Sequence, residues 1–141
     1  MAGVRSLLFP RSIAVVGASP RHLAAVDTVV ASGVRAFGVN PNRDEVAGMP
    51  CYPNCGELPE VPECAFLMVN HERVEDAFDD AAAVGVRAFV VPGIGAEAGA
   101  AAGPTTERLA ARAREVGAAL LGPNCMGMYV PDGPAAWHGR P

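Results

Sequence analysis

The chain has 141 residues, 50% hydrophobic and 18% charged, with a formal net charge of −4, which is the size and balance of one domain with a real core. The acidic excess argues against an extended nucleic-acid surface, and no apolar run approaches the ~20 residues of a membrane span. All of the 11 basic residues are arginine, so a Walker lysine and Schiff-base chemistry are excluded.

Met1 to Phe9 carries one arginine and too short an apolar segment for a secretory signal, so the expected location is the cytoplasm. Ser12-Ile13-Ala14-Val15-Val16 then runs apolar without alternation, the pattern of a strand covered on both faces. It stops at Gly17-Ala18-Ser19. Gly17 can take a positive φ, and a following helix would aim free amides and its positive end at the same turn, so an anion, phosphate first, suits the place. The full G-x-G-x-x-G spacing is absent, and a tight turn without ligand is the alternative.

From His22 to Ser32, Leu23, Val26 and Val30 recur at helical spacing and are expected to cover the sheet, with Gly33 as a left-handed cap. A strand over Arg35 to Asn40 ends at Asn40-Pro41-Asn42, where proline forbids further pairing. The stretch to Pro62, with Pro50, Pro53 and Pro59, reads as an irregular surface loop. Cys64 to Val69 is the third strand. His71 to Val84 places Val74, Ala77, Phe78 and Ala81 on one face and Glu72, Glu75, Asp76, Asp79 and Asp80 on a wet one. Gly33-Val34-Arg35-Ala36-Phe37 recurs letter for letter as Gly85-Val86-Arg87-Ala88-Phe89, each copy ending a helix and starting a strand. Gly117-Ala118-Ala119-Leu120-Leu121 is a third such junction, after a helix from Pro104 to Val116 with proline in its first turn.

The chain thus reads β-α-β-loop-β-α-β-α-β, an α/β protein with a Rossmann-like, doubly wound parallel sheet of five main strands, expected order 3-2-1-4-5. Ligands of such sheets lie beyond the carboxyl ends of the strands, where the order reverses. The candidate loops are therefore Gly17-Ala18-Ser19, Asn40-Pro41-Asn42-Arg43, Asn70-His71, Pro92-Gly93-Ile94-Gly95 and Gly122-Pro123-Asn124-Cys125. They are small, polar and glycine-rich, the makings of a cofactor cradle more than of a reaction centre, and no catalytic residue is assigned.

Other constellations carry less. Cys51, Cys55, Cys64 and His71 offer zinc ligand types at a spacing unlike a zinc site, and Cys64 opens a buried strand, so no metal is expected. His71 has no recognisable catalytic partner. Cys125 reads as packed or hydrogen-bonded beside Asn124, Ser19 as a ligand contact or a helix cap, and Arg43 as a phosphate partner or a solvated loop arginine.

These loops in this order resemble the CoA-binding domain of NDP-forming acyl-CoA synthetases, the fold of the succinyl-CoA synthetase alpha subunit. The resemblance covers nearly the whole chain. It rests on Pro10 through Ser19, on Val39-Asn40-Pro41 with Glu45-Val46-Ala47-Gly48, on Tyr52-Pro53 and Leu58-Pro59, and on Gly122-Pro123-Asn124-Cys125-Met126-Gly127. It implies that Gly17, Ser19, Pro20 and Arg21 meet the CoA phosphates and pantetheine. Arg43 would be the basic residue after the second strand, beside Asn40 and Pro41. Val91, Pro92 and Gly93 would line the pantetheine arm, with Asn70 in the same set of strand ends, and Asn124 and Cys125 near the thiol. Between Ser19 and Gly33 the chain is several residues shorter than the family spacing, which implies a tight first loop set by Pro20 and weaker CoA binding.

The family's phosphorylated histidine belongs to a following domain. The expected division is therefore a CoA-binding domain over 1–127 and a tail over 128–141, bearing Trp137, toward such a domain. The expected function is a CoA-binding domain, part or relative of an acid–thiol ligase and not catalytic alone, with further ligase domains or subunits as partners. One alternative is an NAD(P)-binding oxidoreductase domain, against which Asn40-Pro41 stands where an acidic ribose ligand would be. The other is a non-catalytic regulatory or scaffold protein whose CoA site has degraded.

Overall fold

The computed structural model describes residues 2–94, 96–128 and 130–131, so most of the expected tail lies outside the described residues. In chain order the elements are α1 (Ala2–Leu8), β1 (Ser12–Val16), α2 (Leu23–Ala31), β2 (Arg35–Val39), β3 (Glu45–Val46), β4 (Met49–Tyr52), β5 (Cys64–Leu67), α3 (Val74–Ala83), β6 (Ala88–Val90), α4 (Ala102–Val116) and β7 (Ala119–Leu121). Among the described residues the strands form one sheet of order β3-β4-β2-β1-β5-β6-β7, all neighbours parallel except β3 against β4. The doubly wound α/β class is as read from the sequence.

The strand order differs in one respect. The third strand read from the sequence, Cys64 to Val69, does not extend the sheet beyond β2; β5 pairs with β1 on its other side, Val15 against Phe66. The place next to β2 belongs to β4, inside the stretch expected to be an irregular loop, with Gly38 opposite Cys51. Its hairpin with β3 turns through Ala47 and Gly48, both at positive φ. Such turns favour asparagine, aspartate or glycine at both positions, so Ala47 hides the signal and the prolines suggest a loop.

Period-two alternation then divides the core between the two faces of the sheet. Ala65, Leu67, Phe89 and Val91 face Val74, Phe78 and Leu109 of α3 and α4. Ile13, Val15, Phe66 and Val90 face Ala25, Val26 and Val29 of α2, with α1 against β6 and β7 on this side. The expected covering stripe of α2 is therefore corrected. Leu23 and Val30 stand 45% and 42% exposed. Both candidate stripes pass through Val26, and the one holding Ala25 and Val29 wins because a small side chain lets the helix approach the sheet. The glycines of the three repeated junctions, Gly33, Gly85 and Gly117, all take positive φ as the helices end.

The acidic side of α3 is not a uniformly solvated face. Arg108 donates to Glu75 at 2.9 Å and Arg112 to Asp79 at 3.4 Å, tying α3 to α4. The Arg108 guanidinium holds the Glu75 carboxyl below its ordinary range. Among the described residues, no helix is long and apolar enough to cross a membrane. Phe78 and Phe89 pack with ring centroids 4.2 Å apart, both fully buried. Phe78→Ala should therefore lower the unfolding free energy by about 3–5 kcal/mol, read from denaturant melts.

Candidate functional site

β1 lies at the reversal point, with β2 on one side and β5 on the other, and the site opens above its carboxyl end. Gly17 takes φ 84° and donates its amide to the Val39 carbonyl at 2.9 Å. A Cβ there would stand 2.5 Å from the Met68 carbonyl oxygen, so no other residue fits. The following loop is tight, as the spacing implied. Ser19 Oγ accepts from the Arg21 amide at 3.2 Å and caps the short 3-10 turn Pro20–His22, with proline at its start. The hydroxyl accepts in that bond, so its proton remains available to a ligand. Asn40 joins this loop to the next. Its Nδ2 donates to the Ala18 carbonyl and its Oδ1 accepts from the Asn42 amide, both at 2.8 Å.

Two cavities meet here, of about 550 Å³ and 720 Å³, each within the range of small-ligand pockets, about 300–1,000 Å³. The first lies between Gly17, Ser19 and Arg21, the loop after β2 at Asn40 and Pro41, Pro53 and Asn54 after β4, and the first turns of α3. The second runs from Ala24 and Ala25 past Met68 and Asn70 to Pro92, Gly93 and Glu97. Arg21, His22 and Val69 border both. The first is lined in equal measure by polar and apolar surface and bears both signs of charge; the second is more apolar, with Arg21 and Glu97 on its border.

Of the residues singled out from the sequence, Gly17, Ser19, Arg21, Asn40, Pro41, Asn70, Pro92 and Gly93 line this cleft. Pro20, Arg43, Val91, Asn124 and Cys125 are not among its lining residues. Arg43 is exposed on the loop after β2, its amide donating to the Asn40 carbonyl at 3.5 Å. Val91 is buried beneath the sheet's end. The Cys125 thiol donates to the Val91 carbonyl at 3.5 Å and the Asn124 amide to the Gly93 carbonyl at 2.7 Å. Those two residues tie the last loop to the one after β6. His71 lines neither cavity.

The sequence reading missed His22, Asn54, Arg73, Asp76 and Asp80 as lining residues. Arg73 is the second cation of the cleft. Neither it nor Arg21 forms an ion pair among the described residues. The parallel placement of β5 beside β1 brings α3 to the reversal point, and the order expected from the sequence put that strand beyond β2 instead.

His22 stands where the cavities join. Burial, and then the Arg21 guanidinium, push its imidazole below its ordinary value. Its NMR titration midpoint should therefore lie below 6.5, and Arg21→Gln should raise it without restoring the ordinary value, because burial is the larger cause. The corresponding stability is complete above the unfolded value and lost as pH falls through the lowered folded one.

The comparisons with known proteins agree on one family. A model described as "CoA binding domain" matches residues 11–131. The ADP-forming acetate–CoA ligase I of Archaeoglobus fulgidus is 34% identical over 128 residues, covering 86% of this chain and 18% of that protein. A trans-feruloyl-CoA synthase of an unknown prokaryotic organism is 38% identical over 128 residues, with the same coverages of 86% and 18%. Among solved structures, dinucleotide-forming acetyl-coenzyme A synthetase 1 of Ca. Korarchaeum cryptofilum, in complex with phosphate and ADP, superposes with TM-score 0.82. It is 32% identical, over 96% of this chain and 31% of that one. The chain spans less than a fifth of the length of these two curated relatives.

Proposed function

The chain belongs to the CoA-binding domain family, and from that premise we propose that the double cleft above β1 is its CoA site, within a larger acid–thiol ligase of the NDP-forming type. The observation that carries this reading is the division of the cleft. A cavity of mixed polar and apolar lining, holding two arginines that form no ion pair among the described residues, adjoins a more apolar one of comparable size, and CoA divides in a similar way into a phosphorylated nucleotide and a largely uncharged pantetheine arm.

The donor set fits the ligand. Arg21 and Arg73 supply charge-assisted donors for phosphates, and Ser19 and the tight turn after Gly17 add neutral ones. Gly17 and Pro20 shape that turn, while Asn40 and Pro41 hold the loop facing it. Arg43 acts from the rim as a third cation. Met68, Pro92 and Gly93 offer the arm an apolar channel that Asn70 borders, and Val91, Asn124 and Cys125 support the loop that forms its far wall. CoA would contribute its thiol as the acyl acceptor. The residues of this chain bind and orient it, and no residue here is assigned to the acyl transfer itself.

The proposed domain is 1–127, with 128–141 leading toward further ligase domains or subunits. Free cysteines at Cys51, Cys55, Cys64 and Cys125 support a reducing, cytoplasmic setting. NAD(P) is the weaker ligand on this reading, since Asn40 with its amide nitrogen committed to Ala18 stands at the end of β2.

CoA should raise the melting temperature of the chain while NAD does not, and at a hundredfold excess over Kd the stabilisation should reach about 2.7 kcal/mol. Arg21→Ala and Arg73→Ala should each weaken CoA binding by about 1–2 kcal/mol, the lower part of the charge-assisted range because both side chains are solvated. Absence of any shift at millimolar CoA would leave the reading without support.

Mixed with acyl donor, CoA and nucleoside triphosphate, the chain alone should form no acyl-CoA. Turnover detected by chromatography of the products would return His71 and Cys125 to consideration as reacting groups.

A further inference from the structure

The first cavity poses an electrostatic problem for a polyanionic ligand, because α3 presents not only Arg73 to it but also Asp76 and Asp80. These charges do not neutralise one another. Among the described residues no ion pair joins Arg73 to either carboxylate, although residues three apart on a helix are neighbours. Asp80 is engaged elsewhere, its Oδ2 accepting from the Cys55 amide at 3.2 Å. The Asp76 carboxylate has no hydrogen-bond or ion-pair partner among the described residues. An unpaired carboxylate on the wall of an anion site costs affinity unless the ligand brings a donor to it, and such a cost is one way a site discriminates between ligands.

The surroundings of Asp76 indicate which donor. Val39, Pro41, Pro53, Val69 and Ala77 give the same cavity its apolar surfaces, suited to the faces of a flat ring. Asp76 lines the same cavity as those surfaces. The phosphates are matched by Arg21 and Arg73. What remains for Asp76 is a hydrogen-bond donor on the edge of the ring, and in CoA that donor is the exocyclic amine of the purine.

Resting on the CoA reading, we propose that Asp76 is a specificity-determining residue that accepts a hydrogen bond from the purine 6-amino group, while Arg73, three residues earlier on the same side of α3, meets a phosphate. One stretch of helix thus reads both ends of the nucleotide. The cleft selects an aminopurine nucleotide by chemistry, since the arginines would accept any phosphorylated ligand of the right length.

The test compares CoA with its analogue in which hydrogen replaces the purine 6-amino group, by calorimetric titration of the whole chain. Unmutated protein should bind CoA about tenfold more tightly than the analogue, as for one charge-assisted hydrogen bond at a solvated site. Asp76→Ala should bring the two affinities within about twofold of each other, by weakening CoA and by tightening the analogue, which then no longer meets an unpaired carboxylate, and Asp76→Asn, whose amide oxygen still accepts, should give an intermediate ratio. Asp76 is exposed, so both variants should melt close to the parent without ligand, and a variant that does not is replaced by Asp76→Ser. Equal binding of CoA and analogue by the unmutated chain overturns the inference and leaves the CoA reading standing. A tenfold ratio that survives Asp76→Ala also overturns it, since the amine is then read by another group. No binding of CoA at all overturns both.

Discussion

The parallel pairing of β1 with neighbours on both sides is the constraint on which the rest of the molecule depends. Its residues are buried throughout, so the strand cannot end in solvent, and its backbone must turn away between the ends of β2 and β5. Gly17 makes that turn in a space closed by the Met68 carbonyl, with its amide held by Val39. A backbone this crowded leaves the following residues little freedom. Ser19 caps the next turn at once, Pro20 fixes its φ, and α2 begins within a few residues. The cleft is the space left where the chain leaves β1 on one side and its neighbours on the other.

Much of this was legible because the same physical requirement recurs. Gly33, Gly85 and Gly117 end three helices at positive φ, and the buried run after each reads as a strand without reference to tertiary structure. The first loop, the α/β class and the strand-end location of the cleft follow from that repetition. What was hidden had conflicting local signals. Pro50 lies inside a strand of four residues, Met49–Tyr52, Pro53 directly follows it, and its hairpin turns through Ala47, so local propensity does not favour it. Tertiary pairing with β2 decides the outcome. That strand occupies the place beside β2, while β5 lies on the far side of β1 and brings α3 with it. Arg73 and Asp76 were thus visible in the sequence as residues but not as neighbours of Ser19.

Arg43 and Arg73 illustrate the same point from the side of the ligand. A loop arginine after the second strand is an obvious candidate for phosphate, yet its position on the outside of that loop leaves it at the rim. An arginine preceding the third helix looks like an ordinary capping-region residue. The fold makes it a wall of the cavity. Location relative to the reversal point, more than residue type or loop membership, decides which cation a bound anion meets first.

α3 shows how one short helix serves three environments without a residue to spare. Val74, Phe78, Ala81 and Ala82 are buried against the sheet. Glu75 and Asp79, four apart, meet Arg108 and Arg112 of α4, exposed pairs whose individual contribution is at most about 1 kcal/mol but which fix the register between the helices. Asp76 and Asp80, also four apart, turn to the cleft with Ala77 between them. From sequence alone, all four acids belong to one wet face, since helical periodicity distinguishes apolar from polar but not solvent from a ligand cavity. The difference lies in what stands opposite. Where α4 supplies arginines, the carboxylates are neutralised within the protein. On the cleft side Asp80 accepts from the Cys55 amide, which leaves the exposed Asp76 as the acid that the proposed recognition of a bound molecule would use.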